Sequence, residues 1–75
     1  MNTFIIAVFK NRTYTYGFYN ALANSGIKCY IVNTPKQNFV SCGISVKFPY
    51  KDLAKANEKL SPFRSNFVGY LKSTT

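Results

Sequence analysis

Apolar and polar positions along the chain change their period in a definite order. Thr3 to Phe9 is almost wholly apolar, which is typical of a central strand buried on both faces of a sheet. Residues 27–32 and 44–48 alternate apolar and polar side chains, as half-buried strands do, and Pro49 is expected to end the later strand. Asn66 to Lys72 has the composition of a last strand. The pattern therefore predicts four strands.

Two segments between these strands have helical spacing. Asn11 to Thr13 offers N-cap side chains, the apolar positions of residues 14–25 recur every three or four residues, and Gly26 supplies a C-terminal stop. Gly17 interrupts this helix and is expected to allow close packing on the sheet. Asp52 is expected to cap a second helix. That helix would turn Leu53, Ala56 and Leu60 inward, and Lys51, Lys55 and Lys59 outward.

The resulting order of elements is β-α-β-β-α-β. Two split βαβ units of this length predict an α+β fold, the ferredoxin-like sandwich, in one small domain over residues 1–75. This fold has a four-stranded antiparallel sheet with two helices on one face. Strand parity places Lys28, Tyr30, Ser45 and Lys47 on the other, open face. Phe67 or Tyr70 could join them, because the parity of the last strand is ambiguous.

Composition excludes several classes of function. The chain has no His, which removes His-based acid–base catalysis and most transition-metal sites. Its only side-chain carboxylates, Asp52 and Glu58, fall in one predicted helix, so a paired-carboxylate hydrolase is not expected. The two Cys residues are too few for a disulfide scaffold and lack zinc-site spacing. These exclusions favour a carrier or binding protein over an enzyme.

Membrane and export signals are missing from the pattern. No apolar run approaches the ~20 residues of a membrane span. The short apolar run from Phe4 to Phe9 lacks a preceding basic segment and a small-residue cleavage site, so we expect a strand and not a signal peptide. The sequence thus predicts a cytoplasmic protein that does not associate with membranes and keeps both thiols reduced.

The charge of the chain is strongly one-sided. Ten Lys and Arg residues against two acidic residues give a formal net charge of +8, which attracts polyanions such as nucleic acid. The basic residues are scattered, so a generally basic composition explains the charge equally well. If nucleic acid binds, the open sheet face would contact it through Lys28, Tyr30 and Lys47, although the third strand lacks an RNA-recognition motif. The same face could instead pair two copies of the chain in a homodimer.

The connection between the second and third strands carries the candidate chemistry. It contains Thr34-Pro35-Lys36, a short spacer, and Ser41-Cys42-Gly43. A thiol reacts as its thiolate, which cationic charge favours, so Lys36 would activate Cys42. Gly43 allows positive φ or close approach of the backbone to a ligand. A purely structural interpretation is also open, in which a Thr-Pro turn leads into a strand that begins with a small apolar Cys. On these residues alone, the structural interpretation is stronger than the thiol-site interpretation.

The same residues resemble a bacterial family of small proteins of unknown function, described as selenium/sulfur-carrier-protein-like. The resemblance runs from Phe4–Phe9 through residues 21–27 to its most specific part, residues 34–48, with Lys36 where an Arg is common. It implies that Cys42 carries sulfur or selenium without a cofactor or metal. It also implies two protein partners, a donor and an acceptor. The supporting loop residues would be Thr34, Pro35, Lys36, Ser41 and Gly43.

Strand parity sets a condition on this role. Cys42 shares the even register of the core-facing positions in residues 44–48, so a strand that included it would turn its sulfur inward. A reactive Cys42 therefore requires the third strand to begin after Gly43. Cys29 falls on a core-facing position of the second strand, and we expect it to be buried and unreactive.

Overall fold

The predicted order β-α-β-β-α-β is confirmed by a computed structural model, which describes residues 3–34 and 43–74. The strands are β1 (Thr3–Phe9), β2 (Tyr30–Asn33), β3 (Ile44–Pro49) and β4 (Phe67–Thr74), and the helices are α1 (Arg12–Asn24) and α2 (Leu53–Lys59). Short 3-10 turns flank α2 at Tyr50–Asp52 and Ser61–Asn66. Neither helix in this part of the chain is long and apolar enough to cross a bilayer.

The sheet has the strand order β2-β3-β1-β4, and every neighbouring pair is antiparallel. β1 therefore lies inside the sheet between β3 and β4, which suits its almost wholly apolar sequence. Both helices pack on one face, because buried residues of each share one hydrophobic cluster with the sheet. That cluster includes Ala7, Phe18, Leu22, Val46 and Ala56. The arrangement is the predicted ferredoxin-like α+β sandwich.

Local signals in the sequence set both ends of α1. The Asn11 side chain accepts a hydrogen bond from the backbone N–H of Thr13 at 2.7 Å, which satisfies a donor that the first turn leaves unpaired. At the other end Gly26 has a φ of 82°, and the Ile27 N–H donates to the Leu22 carbonyl at 3.0 Å. This is a Schellman closure, which positive φ makes possible. The predicted cap and stop are both confirmed.

Gly17 allows close packing in α1, but not against the sheet. A β-carbon built on Gly17 would lie 2.7 Å from Cε1 of Phe63 in the Ser61–Asn66 turn. The expected partner was therefore wrong. The sheet-facing side of α1 carries Phe18 and Leu22, which are fully buried, and Gly17 lies about 100° around the helix from Phe18.

The starts of β2 and α2 each differ from the prediction in one respect. β2 begins at Tyr30 and not at Ile27. The ladder begins with Tyr30 paired to Lys47. Two residues before Tyr30, Lys28 would stand opposite Pro49, which has no N–H to donate. The helix α2 begins after Asp52 as expected, but the Asp52 side chain makes no cap hydrogen bond, because a 3-10 turn leads into the helix.

A β-bulge decides which face the aromatic residues of β4 occupy. The β1–β4 register shifts between Val8 and Phe9, and the bulge accommodates one extra residue of β4. Phe67 consequently faces the helices, with its ring centroid 5.5 Å from that of Phe9. Tyr70 does so too, with its centroid 6.2 Å from that of Phe48. The suggestion that either residue joins the opposite face was wrong.

The sheet face without helices is less open than expected. Val8 and Ser45 are fully buried on it, and Ile6 is only 6% exposed. Ser45 lies on this face as predicted, but the expectation that the face is open there was wrong, because Ser45 is fully buried. Its hydroxyl lies 2.7 Å from the hydroxyl of Thr34, and this hydrogen bond offsets the cost of burying the two groups.

Candidate functional site

Hydrogen bonds fix the two ends of the β2–β3 connection next to each other. The last ladder pair is Asn33 with Ile44, and beyond it the Thr34 N–H donates to the Gly43 carbonyl at 3.0 Å. The hydroxyls of Thr34 and Ser45 tie the same strand ends through their side chains. Thr34 and Gly43, two of the predicted supporting residues, are thus brought together.

Gly43 turns the backbone into β3. Its φ is 92°, a left-handed conformation that residues with side chains rarely adopt. A β-carbon there would meet no atom within 4 Å, so the backbone conformation, and not a lack of space, requires glycine. The ladder of β3 begins at the next residue, Ile44. This is the start that a reactive Cys42 requires.

The other predicted residues of the thiol site, Pro35, Lys36, Ser41 and Cys42, lie outside the described residues. The proximity of Lys36 to Cys42 and the accessibility of the Cys42 thiol therefore stay predictions. The described residues form the frame of the site, with two fixed loop ends and a strand that starts directly after Gly43. Within residues 3–34 and 43–74, no group of three or more His, Cys, Asp or Glu side chains is arranged to hold a metal ion.

Cys29 was expected to be buried, but it is half-buried. Its thiol donates to the Tyr19 carbonyl oxygen, with Sγ and oxygen 3.5 Å apart. Burial is incomplete because Cys29 leads into β2, an edge strand. Even so, burial raises the pKa of the Cys29 thiol, since desolvation disfavours the thiolate. A raised pKa leaves less thiolate near neutral pH, so Cys29 reacts more slowly there than a cysteine with an ordinary thiol pKa.

A cleft of about 440 Å³ opens at the opposite end of the sheet, where β3 ends and β1 begins. It brings together Lys28 and Tyr30, two of the predicted polyanion contacts, and both are exposed. The third predicted contact, Lys47, is half-buried and places its ammonium 4.6 Å from the ring centroid of Phe4 in the cleft wall. The described lining residues are Thr3, Phe4, Lys28, Tyr30, Pro49, Tyr50 and Lys51.

A second cleft of about 530 Å³ adjoins the first and shares Tyr50 and Lys51 with it. The Lys72 ammonium lies 5.4 Å from the Tyr50 ring centroid. The Tyr70 hydroxyl donates to Asn57 Oδ1 at 3.1 Å, and burial raises the pKa of Tyr70. The described lining residues are Tyr50, Lys51, Leu53, Ala54, Asn57 and Tyr70. We call the two clefts together the Tyr50 groove.

Among the residues that line the first cleft with a ring or a charge, sequence reasoning missed Phe4, Tyr50 and Lys51. Phe4 has the same parity as Ile6 on β1, and Tyr50 and Lys51 directly follow Pro49, which was expected to end β3. Because β1 and β3 are antiparallel neighbours, the start of one lies beside the end of the other. The positions of these residues in the sequence could therefore have indicated the cleft, but only to a reader who already knew the strand order.

Comparison with known protein families covers most of the chain. Residues 4–68 match a family model described as "Putative Se/S carrier protein-like". The matched range includes Thr34, Gly43 and the whole connection between them, and it stops before Tyr70. No protein with a curated description matches the chain.

Proposed function

The chain belongs to the "Putative Se/S carrier protein-like" family, and on this premise we propose that it carries sulfur or selenium on the Cys42 thiol. The match over residues 4–68 carries the proposal, because it includes the β2–β3 connection. The start of β3 at Ile44 supports it. A cysteine that precedes the ladder has no strand parity to direct its sulfur into the core.

Loading of the carrier is a thiol exchange. The Cys42 thiolate attacks the terminal sulfur of a donor persulfide, so that a new S–S bond forms on Cys42 while the donor's own S–S bond breaks. The inner sulfur, which stays attached to the donor, leaves as a thiolate and keeps the electron pair of the broken bond. One thiolate is consumed and one is released, so the step needs no external oxidant or reductant. A donor with terminal selenium reacts in the same way.

Delivery reverses this exchange. An acceptor nucleophile attacks the terminal sulfur or selenium, a bond to the acceptor forms, and Cys42 leaves as its thiolate. The carrier therefore needs two protein partners, one donor and one acceptor. It also needs a reducing compartment such as the cytoplasm, where its thiol stays free.

Each supporting residue has a physical role in this proposal. The Lys36 ammonium favours the thiolate of Cys42 by its positive charge. Pro35 has a ring-restricted φ, which reduces the conformational freedom of this segment, and Ser41, the residue before Cys42 in the sequence, supplies a hydroxyl donor. Thr34 and Gly43 hold the two loop ends together through their backbone hydrogen bond.

Persulfide transfer from a small-molecule donor tests the proposal directly. The native protein is treated with glutathione persulfide, the adducts are trapped with an alkylating agent, and mass spectrometry locates the added sulfur atom. We expect the adduct on Cys42 in the wild type and in Cys29→Ser, and none in Cys42→Ser. The Lys36→Ala variant should load more slowly, because its thiolate fraction is lower.

The two single-cysteine variants are matched controls, since each keeps one thiol in a folded chain. Circular dichroism and a denaturant titration show whether each variant is folded. Equal loading of both cysteines, or protection of both in the native state, would remove the carrier mechanism.

A further inference from the structure

The Tyr50 groove combines aromatic rings with uncompensated positive charge. Its described lining contains two lysines, Lys28 and Lys51, and no carboxylate. The ammonium groups of Lys47 and Lys72 add further charge from above the rings of Phe4 and Tyr50. The lining rings are Phe4, Tyr30, Tyr50 and Tyr70. This chemistry fits an anionic ligand that carries planar groups.

Two of these rings are unusually exposed. Tyr30 is 52% exposed and Tyr50 is 47% exposed, although burial of such rings contributes strongly to the stability of a core. Among the described residues, the remaining exposed large hydrophobic side chain is Tyr16, at 46%, on α1. Two of these three exposed rings thus lie in one groove. Lys51 follows Tyr50 in the sequence, and Lys28 lines the same cleft as Tyr30.

The shape of the groove favours a polymer over a single small molecule. Each cleft has a volume within the roughly 300–1,000 Å³ that is usual for ligand sites. The clefts are adjacent and share Tyr50 and Lys51. A single nucleic acid strand repeats a ring and a negative charge over a short distance, and it therefore matches the rings and lysines that line both clefts.

We propose that the Tyr50 groove binds single-stranded nucleic acid without sequence preference. Bases stack on Tyr30 and Tyr50, and phosphates lie against Lys28 and Lys51. The net charge of +8 raises the local concentration of such a polyanion. An acidic peptide would match the charge, but it has no regularly repeated rings to stack.

This surface is separate from the thiol site. The groove lies at the Pro49 end of β3, whereas Gly43 stands before its other end at Ile44. At about 3.3 Å per residue, these ends are roughly 20 Å apart. The lining of the groove therefore does not include the loop ends, and the inference does not depend on the carrier role of Cys42.

Fluorescence anisotropy of a labelled oligothymidylate of about 12 nucleotides, within the usual site size, measures the binding. We expect Tyr30→Ala and Tyr50→Ala each to weaken binding by roughly 5- to 150-fold. The matched control is Tyr16→Ala, which removes a ring of similar exposure outside the groove and should bind as the wild type does.

Salt titrations separate the groove from general charge. Removal of one phosphate-binding lysine should reduce the slope of log affinity against log salt by about 0.7, so Lys28→Ala and Lys51→Ala should flatten it. The control Lys55→Ala removes the same charge from the exposed side of α2 and should leave the slope nearly unchanged. The thermal melt of each variant verifies that it is folded.

Three results would overturn the proposal. The first is equal loss of affinity in the groove variants and in their matched controls, which would leave only general charge. The second is displacement of the labelled strand by polyglutamate at the same concentration as by an unlabelled single strand. The third is tighter binding of a duplex of the same length, since paired bases cannot stack on Tyr30 and Tyr50.

Discussion

The ring of Phe63 lies against Gly17 so closely that a β-carbon on Gly17 would stand 2.7 Å from the ring atom Cε1. The ring is itself held by neighbours, with its centroid 6.2 Å from that of Tyr14 and 6.1 Å from that of Phe18. Helix α1 therefore contains a poor helix former because the Ser61–Asn66 turn packs at that position.

Gly17→Ala should destabilise the protein. Alanine favours the helix by about 1 kcal/mol over glycine, but forcing a methyl group into a packed contact costs about 1–3 kcal/mol. We expect a net loss of about 1 kcal/mol in the free energy of unfolding, measured by denaturant titration. In a Phe63→Ala background the same substitution should become stabilising. An identical effect in both backgrounds would contradict this account of Gly17.

The hydroxyls of Thr34 and Ser45 should show energetic coupling. Ser45→Ala leaves the Thr34 hydroxyl without its partner at 2.7 Å, and Thr34→Val leaves the fully buried Ser45 hydroxyl unpaired. Each loss should cost about 1–3 kcal/mol, whereas removal of both groups should cost clearly less than the sum. Chemical unfolding of the two single variants and the double variant gives the coupling energy, and simple additivity would argue against the hydrogen bond.

Gly43→Ala should cost about 1–2 kcal/mol of stability, because alanine resists the φ of 92° found there. Gly69→Ala is the matched control: Gly69 lies in β4 without a positive φ, and a β-carbon there meets no atom within 4 Å. That control should be neutral or slightly stabilising. If both variants lost the same stability, the backbone conformation of Gly43 would not be the cause.

Cys29 should make stability decrease at alkaline pH. Its pKa is raised in the folded state by burial, so the folded chain holds the thiol proton more tightly than the unfolded chain. The contribution is fully present below the ordinary thiol pKa of about 8.5 and is lost as pH rises through the raised value. Urea midpoints across this range should therefore fall more steeply in the wild type than in Cys29→Ala, and an equal fall in both would contradict this account.

Features that depend on neighbours in sequence could be predicted from the sequence. The ends of α1 followed from Asn11 and Gly26, whose effects act within one turn of the helix. The order of strands and helices followed from periods that change along the chain. The thiol motif was also local, since its residues lie within ten positions of each other.

Features that depend on the pairing of distant strands could not be predicted in this way. The face of Phe67 and Tyr70 depends on a bulge opposite Val8 and Phe9, and a bulge leaves no mark on the period of either strand alone. The start of β2 depends on its partner strand, because the ladder with β3 begins at Tyr30 and Lys47. The Tyr50 groove combines residues from β1, from β2 and the segment before it, from β3, from the turn after it, from α2, and from β4. It can therefore be recognised only when the strand order is known.

The central position of β1 also has a consequence during synthesis. Both of its partners follow it in the chain, β3 at Ile44–Pro49 and β4 at Phe67–Thr74. An almost wholly apolar strand is thus made before both of its partners. It has two unpaired edges until β3 has left the ribosome, and one unpaired edge until β4 has done so. Unpaired strand edges and exposed apolar surface make an incompletely folded chain prone to aggregation, which is the hazard that chaperones counter. The most hydrophobic segment of this fold is therefore also the one that is exposed longest before the fold can close.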